Sequence, residues 1–117
     1  MSEDLDEAAI LALLDDEYAR EILTATSAQP MSADQLTERC DASDSTIYRR
    51  VDRLKEHDLL AEQTQFDPDG HHYSVYVSRL ESVNVTFEDE QCRVELQRQP
   101  PAEEDPADRF TRMWQDL

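Results

Sequence analysis

The sequence predicts an α+β domain, helical in its first half and built of β-hairpins in its second. Three observations predict it. Apolar residues recur at helical spacing through the first half, as at Ile47, Val51 and Leu54. Beyond residue 60 the pattern changes to alternation, as at Val83, Val85 and Phe87 and again at Cys92, Val94 and Leu96. Between these regimes stands Asp67-Pro68-Asp69-Gly70, a turn in which Pro presets φ and Gly tolerates a positive one. The chain has 117 residues, which suits one domain.

Each element follows in order. Leu5, Ala8, Ala9, Ala12 and Leu13 recur as on a short amphipathic helix. Asp15-Asp16-Glu17 then places acids where a second helix begins, against its positive N-terminus. Tyr18, Ile22 and Ala25 give that helix an apolar face to about Ala25, and Gln29-Pro30 ends it. Ser32 followed by Gln35 reads as a capping box opening a short third helix over Leu36 and Cys40. Asp41-Ala42-Ser43 is a tight turn, and Ser43 is the N-cap of a fourth helix running to about Glu56. Glu62–Val77 forms a hairpin about the Asp67 turn, and Val83–Leu96 forms a second. Gln99–Glu104 reads as a linker. Asp105-Pro106 caps a last helix, with Phe110, Met113, Trp114 and Leu117 on a narrow stripe.

Composition excludes several functions. No apolar run reaches the ~20 residues of a membrane span, and the acidic start Met1-Ser2-Glu3-Asp4 is neither a signal nor a transit peptide. Two cysteines cannot build a disulfide framework or a four-ligand zinc site alone, and one Gly is too few for a phosphate-cradling loop. No nucleophile–base arrangement stands in a recognisable context, so no enzyme activity and no cofactor is expected. Lys and Arg total 11 against 28 Asp and Glu, a net charge of −17. That balance opposes phosphate binding. The acids are nevertheless spread along the whole chain, with a single Lys, which suits a protein living in screening, multimolar salt. An acidic adaptor or DNA mimic is the alternative.

Helices followed by a hairpin within about 60 residues is the order of a winged helix-turn-helix: a three-helix core and a β-hairpin wing. Here an extra β-hairpin and a C-terminal helix would follow. The segment MSADQLTERCDASDSTIYRRVDRLKEHDLL (residues 31–60), with LLDDEYAREIL (13–23) and FDPDGHHYSVY (66–76), resembles the ArsR-type winged-helix regulators of haloarchaea. The resemblance covers about Leu5 to Val77 and lies in the combination of pieces. It implies a DNA-binding regulator with its recognition helix starting at Ser43. The paired cysteines with which such regulators sense metals are missing, so no metal site is expected.

The charge map points the same way. Four of the 11 bases, Arg49, Arg50, Arg53 and Lys55, fall within seven residues of that helix, opposed by Asp52 alone. With Ile47, Val51 and Leu54 facing the core, Ser43, Ser45, Thr46, Tyr48, Arg49, Arg50 and Arg53 become the candidate DNA contacts, mixing guanidinium, hydroxyl and aromatic groups as a major groove requires. His71 and His72 are the wing's candidates, although its acidic tip repels phosphate. The rival reading is a winged-helix module for protein–protein contact that does not touch DNA.

The other residues have plainer expectations. Cys40 and Cys92 are read as buried, and His57 as capping the carbonyls that end the recognition helix. Residues 1–78 are read as the DNA-binding domain, 79–98 as a hairpin packed on it, and 99–117 as linker and dimerisation helix. Leu5, Leu13, Phe110, Met113, Trp114 and Leu117 are the expected homodimer contacts. The expected partners are double-stranded DNA, a second copy and the transcription machinery, in the cytoplasm and without a membrane.

Overall fold

The computed structural model describes residues 6–99. The expected linker and final helix, with Phe110, Met113, Trp114 and Leu117, lie outside the described residues, as does Leu5. Four helices precede two antiparallel hairpins: α1 (Glu7–Asp15), α2 (Glu17–Ala28), α3 (Ala33–Cys40), α4 (Asp44–Glu56), β1 (Leu60–Phe66), β2 (His72–Ser78), β3 (Leu80–Glu88) and β4 (Gln91–Arg98). This is the α+β fold with a helix-turn-helix that the sequence predicts, the β1–β2 hairpin standing in the wing position.

Side-chain caps set the helix boundaries. Asp6 accepts the Ala9 N–H at 3.1 Å and opens α1. Asp16 is at once the C-cap of α1 and the N-cap of α2, accepting the Ala19 N–H at 2.9 Å. Ser32 and Gln35 form the reciprocal capping box of α3. Ser43 caps α4 by accepting the Thr46 N–H at 3.2 Å. Between α3 and α4 the chain reverses at Asp41, whose φ of 52° is left-handed. An α3 carbonyl is met there by Ala42, whose N–H reaches the Thr37 oxygen at 3.2 Å.

One helix departs from expectation in its phase. α1 buries Ile10 and Leu13, while Ala8 and Ala12 face solvent. In the run from Ala8 to Leu14 every position is apolar, so spacing alone leaves the phase open and larger side chains take the core. Leu13, expected at a dimer interface, is only 5% exposed and belongs to the protomer's own core. α2 ends at Ala28 with Gln29 as its C-cap, where Gln29-Pro30 was expected to stop it. Its last turn buries Thr26, whose hydroxyl donates to the Ile22 carbonyl at 2.7 Å.

One core gathers Ile10, Leu13, Ile22, Leu36, Ile47, Val51, Leu54, Leu59, Leu60, Tyr76 and Val94 from all four helices and both hairpins. The wing pairs Leu60 with Ser78 and Phe66 with His72. Met31, ahead of α3, adds a bridge to the outer edge of β2, exchanging both backbone hydrogen bonds with Tyr76 at 3.1 and 2.7 Å. Asp67 Oδ1 accepts the N–H groups of Asp69 and His71, both at 2.9 Å, and Gly70 supplies the positive φ of 87° that closes the turn.

The second hairpin is a separate two-stranded sheet. Val94 carries it into the core, Leu80, Val83 and Leu96 pack partly buried beside it, and Glu7 accepts the Val94 N–H at 3.3 Å. Arg98 donates to the carbonyls of His57 and Asp58 at 3.1 and 3.0 Å. Arg98 therefore holds the two carbonyls that follow α4, and His57, expected to cap the helix with its side chain, gives its backbone N–H to the Arg53 carbonyl. Cys40 is partly buried, but Cys92 is exposed, against expectation. It alternates with Val94 and Leu96 on the same face of β4, yet the core reaches only as far as Val94. No helix among the described residues is long and apolar enough to cross a membrane.

Candidate nucleic-acid interface

α4 presents its outer arc because its inner one is fixed. Ile47, Val51 and Leu54 are at most 1% exposed. Rotation by helical period then places Ser45, Tyr48, Arg49, Asp52, Arg53 and Glu56 outside, and all six are exposed. Tyr48 keeps 49% of its surface open. Ser43 is exposed but occupied as the cap, and its Oγ also donates to the half-buried Thr46 hydroxyl at 2.9 Å.

Arg50, expected among the DNA contacts, turns inward instead. Its Nε donates to Asp16 Oδ2 at 2.7 Å, both side chains are about three-quarters covered (28% and 24% exposed), and its guanidinium lies 5.9 Å from the centre of the Tyr18 ring. Asp16 thereby ties the α1–α2 junction to α4. Partial burial pushes the Asp16 carboxyl up, but the Ala19 N–H, the Arg50 guanidinium and the Tyr18 N–H together hold it below the ordinary aspartate value. Sequence reasoning placed Asp16 at the start of α2 but missed its pairing with Arg50.

The remaining bases sort by partner. Arg39 pairs with Glu21 at 2.8 Å, Lys55 with Glu62, and Arg79 with Asp58 at 2.7 Å. Arg20 donates to the Leu14 carbonyl at 2.7 Å. Glu62 also accepts the Ser74 hydroxyl at 2.7 Å, and the Lys55 and Ser74 bonds hold its carboxyl below the usual range despite some burial. This clamp joins the end of α4 to the wing. Arg49 and Arg53, and Arg93 on β4 rather than on a helix, have no such partner among the described residues. Arg49 and Arg53 line a cleft of about 400 Å³ with Arg50, Asp52 and Glu56 of α4 and Ala12, Leu13 and Asp16 at the α1–α2 junction.

The wing is placed beside α4 but carries little positive charge. The Tyr76 phenol is pushed up by burial and then by the neighbouring Glu62, Tyr48 and Asp52. His71 is exposed, with Nδ1 3.4 Å from Asp67 Oδ2. His72 is exposed and meets Phe66 edge-on at 4.4 Å. The turn also brings donor atoms of Asp67, Asp69 and His71 within 4.8 Å of one another. His71 and His72, adjacent on the chain, point to opposite faces and do not converge on one ion. Asp67 is already engaged by the turn's own N–H groups.

A comparison with known families agrees with this geometry. Residues 14–63, from the end of α1 into β1, match the family model described as a helix-turn-helix domain. The chain carries a helix-turn-helix domain. The match spans α2, α3 and α4, and such a domain suggests a DNA-binding regulator. No curated protein matches the chain.

Proposed function

We propose that this helix-turn-helix protein is a sequence-specific transcriptional regulator that lays α4 in the major groove of double-stranded DNA. The single observation that carries this reading is the pairing pattern. In an acid-rich chain, Arg49 and Arg53 remain exposed and unpaired among the described residues, side by side on the arc that α4 turns away from the core. Arg in that position suits guanine edges or phosphates, with Ser45 and Tyr48 beside it for hydroxyl and apolar contact. Its mechanism is binding, not catalysis. It acts as a homodimer, so that two recognition helices meet half-sites about 34–36 Å apart, and it either blocks or recruits the transcription machinery. The resemblance of residues 31–60 to ArsR-type haloarchaeal regulators and the net charge of −17 support a cytoplasmic role in concentrated salt.

Selection from a random duplex pool in molar KCl tests it. The expected result is enrichment of a two-fold symmetric site, abolished by Arg49→Ala with Arg53→Ala. Equal enrichment by the double variant refutes the assignment of α4. Salt gives a second measure. Two arginines per protomer make four per dimer, so the slope of log affinity against log salt should be no steeper than about −4, at ~0.9 per phosphate.

A further inference from the structure

The second hairpin carries an apolar face that the described residues leave half covered. Its register sets Val83 opposite Leu96, Val85 opposite Val94 and Phe87 opposite Cys92, so six apolar side chains share one face. Toward the root, Val94 is 5% exposed and Val83 and Leu96 are partly buried against the core. Toward the tip, Val85 is 39% and Phe87 77% exposed, and Cys92 is exposed with them. A two-stranded hairpin is marginal without cover on its apolar face. Burying Phe87 alone would be favourable by an amount typical of a core side chain.

We propose that this face is the docking site of the chain's own C-terminal segment, residues 105–117, folded back onto the hairpin it follows. The first argument is where the described chain ends. Gln99 donates its N–H to the Arg79 carbonyl at 2.6 Å, so the last eighteen residues (100–117) depart from the root of this same hairpin. Phe87 lies seven residues beyond Leu80, about 24 Å at strand rise, and ten residues (100–109) span up to about 33–36 Å. The second argument is pattern. Phe110, Met113, Trp114 and Leu117 are spaced by three, one and three, the width of one helical stripe and the width of a two-stranded apolar face. The third is charge. Arg109 and Arg112, the only bases beyond Arg98, flank Phe110 and suit the Glu88-Asp89-Glu90 tip locally, within a segment whose Asp105, Asp108 and Asp116 leave it net −1. A short tether presents the segment at a millimolar effective concentration, which favours the chain's own segment over a second copy at micromolar protein. The docked stripe is withdrawn from any two-fold interface.

Trp114 is the only Trp in the chain, so its fluorescence reports the contact directly. In the full-length protein in molar KCl, Trp114 emission should be blue-shifted and shielded from acrylamide, unchanged on wide dilution. Phe87→Asp should shift it red and raise quenching several-fold, with far-UV dichroism of the helices intact. Cys92→Asp, on the neighbouring strand of the same face, should do the same and guards against one variant that fails to fold. Emission of a fully solvated Trp in the unaltered protein, or no response to either variant, overturns the proposal. Reddening on dilution together with a fall in mass overturns it too, because a second copy would then supply the segment.

Discussion

Replacing Arg50 should damage stability and spare DNA contact, whereas replacing its neighbour Arg49 should do the reverse. The guanidinium of Arg50 makes a charge-assisted hydrogen bond to Asp16 at 2.7 Å, in a setting where both side chains are about three-quarters covered. Hydrogen bonds to charged groups contribute about 1.5–3 kcal/mol. The exposed quarter places this one in the lower half of that range. The contact with the Tyr18 ring at 5.9 Å adds about 0.5–1 kcal/mol. Arg50→Ala should therefore cost roughly 2–3 kcal/mol, a large part of a typical domain's 5–15 kcal/mol. Arg49→Ala, at an exposed site without a partner, should stay within about 0.5 kcal/mol. Urea unfolding followed by far-UV dichroism, in molar KCl and with a common m-value, separates the two. Arg50→Lys should rescue little, because an ammonium cannot present Nε to Asp16 while its plane lies over Tyr18. If Arg50→Ala unfolds like the parent protein yet abolishes DNA binding, the Asp16 pair is incidental and Arg50 belongs to the reading surface.

Three further predictions rest on separate contacts. Asp16 and Glu62 both have carboxyls held below their ordinary values, so their contribution is present above the unfolded pKa values near 4 and is lost as pH falls through the folded ones; the stability–pH curve of Asp16→Asn with Glu62→Gln should be flatter than that of the parent on the acid side. Asp89 and Glu90 close the second hairpin with φ of 53° and 61°, where a non-Gly residue is strained by about 1–2 kcal/mol; Glu90→Gly should raise stability by about 1 kcal/mol, and a lower Tm would show that the turn is not strained there. Arg98→Ala removes both side-chain donors to the carbonyls that follow α4; amide exchange should quicken across β3 and β4 while DNA affinity is unchanged.

Features set by neighbouring residues were legible in the sequence. The Ser32–Gln35 capping box, the Ser43 cap, the 47/51/54 stripe and the Asp67 turn each depend on residues within a few positions of one another, and each stands where the pattern placed it. Features that join distant residues were not. Asp16 meets Arg50 across 34 positions, and Arg98 meets His57 across 41. Nothing local marks an acid or a base for such a pairing when a third of the chain is charged. Cys92 shows a subtler limit. Alternation assigns a strand residue to a face, but only the packed structure says how far along that face the core extends. The phase of α1 was lost for the opposite reason, since a wholly apolar run offers no contrast to read.

The candidate interface follows the same division. Within residues 49–53 the sequence shows three arginines of equal standing, and their roles separate only when partners are assigned. Arg50 is neutralised by Asp16. Arg49 and Arg53 sit one helical turn apart with like charge, as do Asp52 and Glu56, and such pairs each oppose the helix by a few tenths of a kcal/mol. Exchanging one residue of each pair would give alternating signs and a more stable exposed face. The chain instead keeps two positive charges adjacent on its outer arc, although it has acids to spare. A phosphate or guanine edge placed between Arg49 and Arg53 would turn that local repulsion into attraction, and this is the physical sense in which an acidic protein can still present a surface for DNA.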